Sequence, residues 1–157
     1  MSQPIKITNL VLNLLASGCL AIDLFLMGFN FLIGMGYMEG TEFLEAGALL
    51  LTLSLGNTAA LLGGILVFAL SKKLKTKTYT IIEIVINILA FAGFATMVLM
   101  ILIQNIKHFL HPNPYLSTGY NNFSPTDLLG LAICTAGLVV TIIGAIKAKR
   151  RHNIASP

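Results

Sequence analysis

An aspartate in the middle of a strongly apolar run is the residue of this sequence most suited to chemistry. Asp23 lies in CLAIDLFLMGFN, residues 19–30, and no lysine or arginine interrupts the run. An isolated carboxylate in hydrocarbon is costly, so the neutral, protonated acid is favoured there. Such an acid can donate a hydrogen bond to an amide such as Asn57 and link two helices, or it can bind and release a proton or cation during transport.

Further polar residues occur in the apolar runs at helical spacing, and they predict a polar cluster inside the membrane. At about 1.5 Å per residue from the inner helix ends, Asp23 and Asn57 lie roughly 20 Å deep, near the midplane. On the same count Asn87 lies roughly 12 Å deep and Glu83 roughly 6 Å, nearer the inner interface. The predicted intramembrane polar cluster consists of Asp23, Asn30, Asn57, Thr58, Glu83 and Asn87.

Small residues form a continuous stripe along the last apolar run. They recur at alternating intervals of four and three, so they share one helix face. This helix-packing stripe consists of Gly130, Cys134, Gly137, Thr141 and Gly144. Small side chains let a neighbouring helix approach closely in lipid, where hydrophobic association is missing. The neighbour is either a helix of the same chain or a second membrane protein.

Motifs for other chemistry are weak. His108 and His111 have a spacing that suits a metal, but Pro112 follows at once and no carboxylate or thiol nearby completes a site. No nucleophile elbow, phosphate-binding loop or HExxH motif occurs. The sequence therefore predicts a protein without enzymatic activity, metal or cofactor.

The apolar runs that must position these residues are long enough to cross a membrane. Of 157 residues, 56% are hydrophobic and 10% charged, and the mean hydropathy is +0.86. Runs of about 20 apolar residues cross a bilayer as helices, and these runs lack the alternation of barrel strands. We predict one all-α transmembrane domain over residues 1–157. Its predicted parts are spans at about 10–37, 46–70, 79–106 and 126–146, an outer loop at 107–125 and a basic tail at 147–157.

The basic residues predict the orientation. Lys6, the lysines of 72–77 and the basic residues of 147–151 fall on one side if the chain crosses four times, and only Lys107 falls opposite. By the positive-inside rule, the protein is an up-down-up-down antiparallel four-helix bundle in the cell membrane with both termini cytoplasmic. We interpret the basic clusters as topology signals that contact anionic lipid, and not as nucleic-acid sites.

Two short motifs bear on where the first and last helices begin. LLASGC, residues 14–19, resembles a lipoprotein cleavage box, but the apolar sequence that follows argues against cleavage. In NFSPTDLL, Ser124 is a predicted N-cap, Pro125 the first helical residue and Asp127 a first-turn acid.

These features favour a non-enzymatic accessory, assembly or interaction subunit of a membrane complex, whose partners are lipids and either another membrane protein or a second copy of the chain. The alternative is a small oligomeric transporter or channel, coupled to protons or cations, that uses Asp23. An immunity-type protein that shields a membrane target also fits the sequence.

Overall fold

The computed structural model describes residues 1–34, 41–110 and 125–155, and all regular elements in these ranges are helices. Four of its helical stretches are long and apolar enough to span a membrane, so the chain is a multi-pass membrane protein. The elements in chain order are α1 (Gln3–Gly34), α2 (Thr41–Thr58), a π-helical segment (Ala59–Gly63), α3 (Gly64–Leu70), α4 (Thr76–Leu110) and α5 (Pro125–Ala155).

The helices are longer than the predicted spans. The first begins at Gln3 and not near residue 10, the third runs from Thr76 to Leu110, and the last continues through the predicted tail to Ala155. Hydropathy marks only the part of a helix that lies in hydrocarbon, and nothing in the flanking polar turns stops the helix. The last helix does begin at Pro125, as predicted. The predicted cap and most of the outer loop, residues 111–124, lie outside the described residues, as does the side chain of His108.

The second span is a continuous helix in which a π-helical segment joins α2 to α3. Two glycines, the last residue of this segment and the first of α3, allow neighbouring helices to approach closely. A Cβ on Gly63 would stand 3.0 Å from the Ile86 side chain of α4, and one on Gly64 would stand 2.9 Å from Asn13 of α1. The absence of side chains here brings α1 and α4 against the same turn.

The small-residue stripe of α5 is buried and faces helices of its own chain. A Cβ on Gly130 would overlap the Phe94 ring of α4, and one on Gly137 would overlap the Asn87 amide. At the opposite end, Gly144 lies against Met1 and Ile5 of the first helix. The small side chains of the stripe thus allow α5 to pack closely against both α1 and α4.

The core between the helices is apolar in its middle. Leu20, Leu53 and Phe94 are fully buried and belong to one cluster with the thiols of Cys19 and Cys134. Most other large apolar side chains are exposed, as expected for helices that face lipid on their outer side. Polar side chains occur on either side of this middle region, and they form the candidate sites.

Candidate functional site

Asp23 lies beside the first turn of α5. Its side chain is 2% exposed, and the Thr126 hydroxyl donates a hydrogen bond of 2.5 Å to its Oδ1. The Asp127 carboxyl is fully buried and interacts with the Asp23 carboxyl. The Asp23 Oδ2 has no hydrogen-bond partner of standard geometry among the described residues. We call Asp23 and Asp127 the carboxyl pair.

Two adjacent carboxyls in a dry environment constrain each other's charge. If both ionised, their repulsion would be poorly screened, which disfavours the doubly ionised pair. One negative charge is tolerable, because the Thr126 hydroxyl and the positive end of the α5 dipole both favour it. The pair can therefore take up or release a proton, and its oxygens are hard ligands suited to a small cation.

The sequence analysis names Asn57 as a possible hydrogen-bond partner of Asp23, but the structure does not pair the two residues. Asn57 instead accepts a hydrogen bond of 2.6 Å from the Ser17 hydroxyl. Counted from Lys6 at about 1.5 Å per residue, Asp23 lies about 26 Å along its helix, nearer the far boundary of a 30 Å core than its midplane. On the same count the Ser17–Asn57 bond, which links α1 to α2, lies about 17 Å along α1, one turn before Leu20.

Glu83 forms a second buried acid site. It is 1% exposed, and Asn13 Nδ2 of α1 donates to its Oε2 at 3.0 Å. The Tyr79 hydroxyl lies beside this carboxyl, although its Oη forms no hydrogen bond of standard geometry. One turn on, Asn87 donates its amide to the Glu83 backbone carbonyl at 2.9 Å. We call Glu83, Asn13 and Tyr79 the Glu83 site.

Further polar contacts tie the Glu83 site to the end of the bundle that carries most basic residues, the basic end. Asn9 Nδ2 of α1 donates to Thr141 Oγ1 of α5 at 3.0 Å, and both residues are buried. The Lys6 ammonium lies 5.5 Å from the Tyr79 ring centroid and donates to the Ser71 carbonyl at 2.6 Å. The Glu83 site thus belongs to a network that joins three helices.

An apolar layer of Leu20, Leu53 and Phe94 separates the two acid sites. Leu20 lies between Ser17 and Asp23 along α1, and all three layer residues are fully buried. The ten residues from Asn13 to Asp23 correspond to about 15 Å of helix. No hydrogen bond between described side chains connects the two acid sites across this layer.

The predicted polar cluster is therefore divided. Asp23 belongs to the carboxyl pair, Glu83 and Asn87 to the network at the basic end, and Asn57 to the bond between α1 and α2. Asn30 and Thr58 are exposed and join none of these groups. Since α5 begins beside Asp23, α5 does not cover the last turns of α1, and Asn30 is left on the outer surface.

Several site residues were missed by reasoning from the sequence. Asn9, Asn13 and Ser17 recur every four residues, a pattern that predicts one polar helix face, but the predicted span began after Asn9. The sequence pattern predicts Tyr79 only as a span boundary and Asp127 only as a first-turn acid. No protein-family model, curated protein or solved structure matches this chain.

Proposed function

We propose that this protein is a small proton- or cation-coupled transporter that binds and releases the coupling ion at the carboxyl pair. The observation that carries the proposal is the side-by-side burial of the Asp23 and Asp127 carboxyls, which interact with each other. Acids inside spans are functional candidates, because a purely structural role is met at lower cost by neutral polar residues. No second acid lies near Asp23 in the sequence, and it is the packing of α5 against α1 that places Asp127 beside it.

The proposed setting is an up-down-up-down bundle in the cell membrane with both termini cytoplasmic, supported by the basic residues at one end. In that orientation the carboxyl pair lies towards the outer side and Glu83 towards the cytoplasm. Transport then requires that the apolar layer hydrates or that a second copy supplies the path, since the layer consists of fully buried apolar side chains.

Flux measurements in liposomes test the proposal. The full chain is reconstituted with an internal pH dye, and proton entry is followed after a pH gradient is imposed, with potassium and valinomycin to clamp the potential. Asp23→Asn and Asp127→Asn should each lower the flux at least about tenfold, since neither amide can release a proton at neutral pH. Adding sodium or N-methylglucamine outside at constant potassium, so that the clamp is kept, separates proton from cation coupling.

Glu45→Gln is the matched control, because Glu45 is an exposed acid of α2. It should leave the flux unchanged. Protection of Cys19 and Cys134 from a thiol reagent checks that each variant is folded, since both thiols are buried. A folded Asp23→Asn protein with wild-type flux would remove Asp23 from the mechanism, and no flux in the wild-type protein with any of these ions would refute ion transport.

A second candidate function is that of a non-enzymatic accessory or assembly subunit, favoured by the surface at the end of α1. Asn30 is exposed there and has no hydrogen-bond partner among the described residues, next to the exposed, stacked rings of Phe25 and Phe29. On the count from Lys6, Asn30 lies about 36 Å along α1, at the outer boundary of the membrane, where its amide and the two rings offer polar and apolar contacts to another chain. The small-residue stripe no longer supports this function, because the chain's own helices cover it.

Co-purification in mild detergent tests the second function. Asn30→Leu should release a membrane partner or second copy, whereas Thr135→Val should not, because the exposed Thr135 hydroxyl already bonds to the Leu131 carbonyl of its own helix. A wild-type protein that elutes as a monomer with no companion, both before and after cross-linking in the membrane, would contradict it.

A further inference from the structure

A groove at the basic end lies between the first turns of α4 and the last buried turns of α5. Its volume is about 500 Å³, and its walls include Ile81 of α4 with Ala145 and Ala148 of α5. Ile81 is about half exposed, so the groove opens on the outer, lipid-facing side of the bundle. Its small alanines leave room for a chain to lie between the helices.

Basic and hydroxyl groups line the same groove where it meets the end of the bundle. Lys77 and Lys149 come from opposite walls, one from each helix, and the Thr76 and Thr80 hydroxyls lie on the α4 side. Both lysine side chains are exposed. Neither forms an ion pair or hydrogen bond with any residue that the structure describes, whereas Lys6 at the same end is occupied by the Ser71 carbonyl and the Tyr79 ring.

The charge around the groove is uncompensated. Among the described acids, Asp23 and Asp127 lie at the far end of the bundle and Glu45 lies in the first turns of α2, while Glu83 is sealed in the core. The charged residues that line the groove, Lys77 and Lys149, are both basic. The site therefore combines two free ammonium groups with an apolar trough beneath them.

We propose that this groove binds the headgroup and one acyl chain of an anionic phospholipid. The phosphate lies between the Lys77 and Lys149 ammonium groups, and the acyl chain follows the trough along Ile81 and Ala145. Basic pockets between helix ends at an interface bind anionic lipids by this combination of charge and apolar contact. A phospholipid fits better than a soluble anion, because the trough opens on the acyl chains of the bilayer.

Native mass spectrometry of the full chain, released from detergent with dioleoylphosphatidylglycerol or dioleoylphosphatidylcholine, tests the site. The wild-type protein should retain the anionic lipid in preference to the zwitterionic one. In Lys77→Gln/Lys149→Gln, retention of the anionic lipid should fall about tenfold or more. The matched control Lys72→Gln/Lys73→Gln removes the same charge from the same end but outside the groove, and should change retention less than about twofold.

A charge-neutral variant separates the groove from general surface attraction. Ala145→Phe fills the trough without altering any charge and should also displace the lipid, and protection of Cys134 from a thiol reagent shows that the variant is folded. Equal losses in both lysine pairs with no loss in Ala145→Phe would overturn the proposal in favour of diffuse attraction. Displacement of the lipid by millimolar glycerol 1-phosphate would overturn it in favour of a soluble phosphate site.

Discussion

The two buried acid sites contain the same chemical group at nearly the same burial, but their surroundings differ. The Glu83 carboxyl accepts a hydrogen bond from Asn13 and lies beside the Tyr79 hydroxyl. Asp23 accepts a hydrogen bond from Thr126, and the group beside it is a second carboxyl, that of Asp127. The two acids thus differ in the neighbour of the carboxyl, a hydroxyl at Glu83 and a second acid at Asp23, and the proposed role of Asp23 follows from that difference.

The difference follows from where the helices meet. Near Glu83, α1, α4 and α5 run side by side, so amides from one helix reach acceptors on the next. Beside Asp23, the last helix is only beginning, and the available side chains are those of its first turn. The apolar layer lies between these regions and keeps them apart.

The largest expected effect comes from opening the apolar layer. Phe94→Ala should lower the free energy of unfolding by about 3 kcal/mol, because the fully buried ring leaves a cavity. Thermal unfolding in detergent, followed by a dye that reacts with Cys19 and Cys134 as they become exposed, measures the loss. Phe91→Ala is the control, since Phe91 is 38% exposed on the same helix and should cost less than about 1 kcal/mol. Equal losses would show that the Phe94 ring contributes no more to the core than a ring on the lipid-facing surface.

Removing the Glu83 carboxyl should have the next largest effect. Glu83→Ala should cost about 2 kcal/mol in unfolding free energy, because the Asn13 amide is left buried without its acceptor. Glu83→Gln keeps an acceptor oxygen and should cost about half as much. The same thiol-exposure assay compares them. A Glu83→Ala protein as stable as wild type would show that this network does not stabilise the bundle.

The hydrogen bond between Asn9 and Thr141 should contribute less. A double-mutant cycle of Asn9→Ala and Thr141→Val should give a coupling energy of about 0.6 kcal/mol, the average for such bonds between membrane helices. Unfolding midpoints of the four proteins in one detergent provide the cycle. A coupling energy near zero would remove this bond from the network that stabilises the basic end.

The smallest expected change in stability is at Asp23, and it compares the two acids directly. Asp23→Asn should change the unfolding free energy by less than about 0.5 kcal/mol, because the amide oxygen still accepts from Thr126 and the repulsion from Asp127 disappears. Glu83→Gln is the matched substitution at the other site. If Asp23→Asn proved the more destabilising of the two, Asp23 and not Glu83 would be the structural carboxyl.

Much of the fold could be predicted from the sequence, and less of the sites. Hydropathy located four spans, and Pro125 marked the start of α5, because both signals are local in the chain. The division of the polar residues could not be predicted, because the partner of Asp23 depends on the register between α1 and α5. A shift of a few residues along α5 would have left Asp23 without Thr126 and Asp127.

By itself, the sequence determined that this chain is helical and crosses a membrane, since backbone groups in lipid must be satisfied within each segment and the apolar runs have the required length. It also determined that one end of the bundle is strongly basic. Only the tertiary structure decided that Asp127 stands beside Asp23 and that Glu83 is held by Asn13. Those contacts join residues 104 and 70 positions apart, and they arise from helix packing, which is set by the shapes of facing side chains and not by any local pattern.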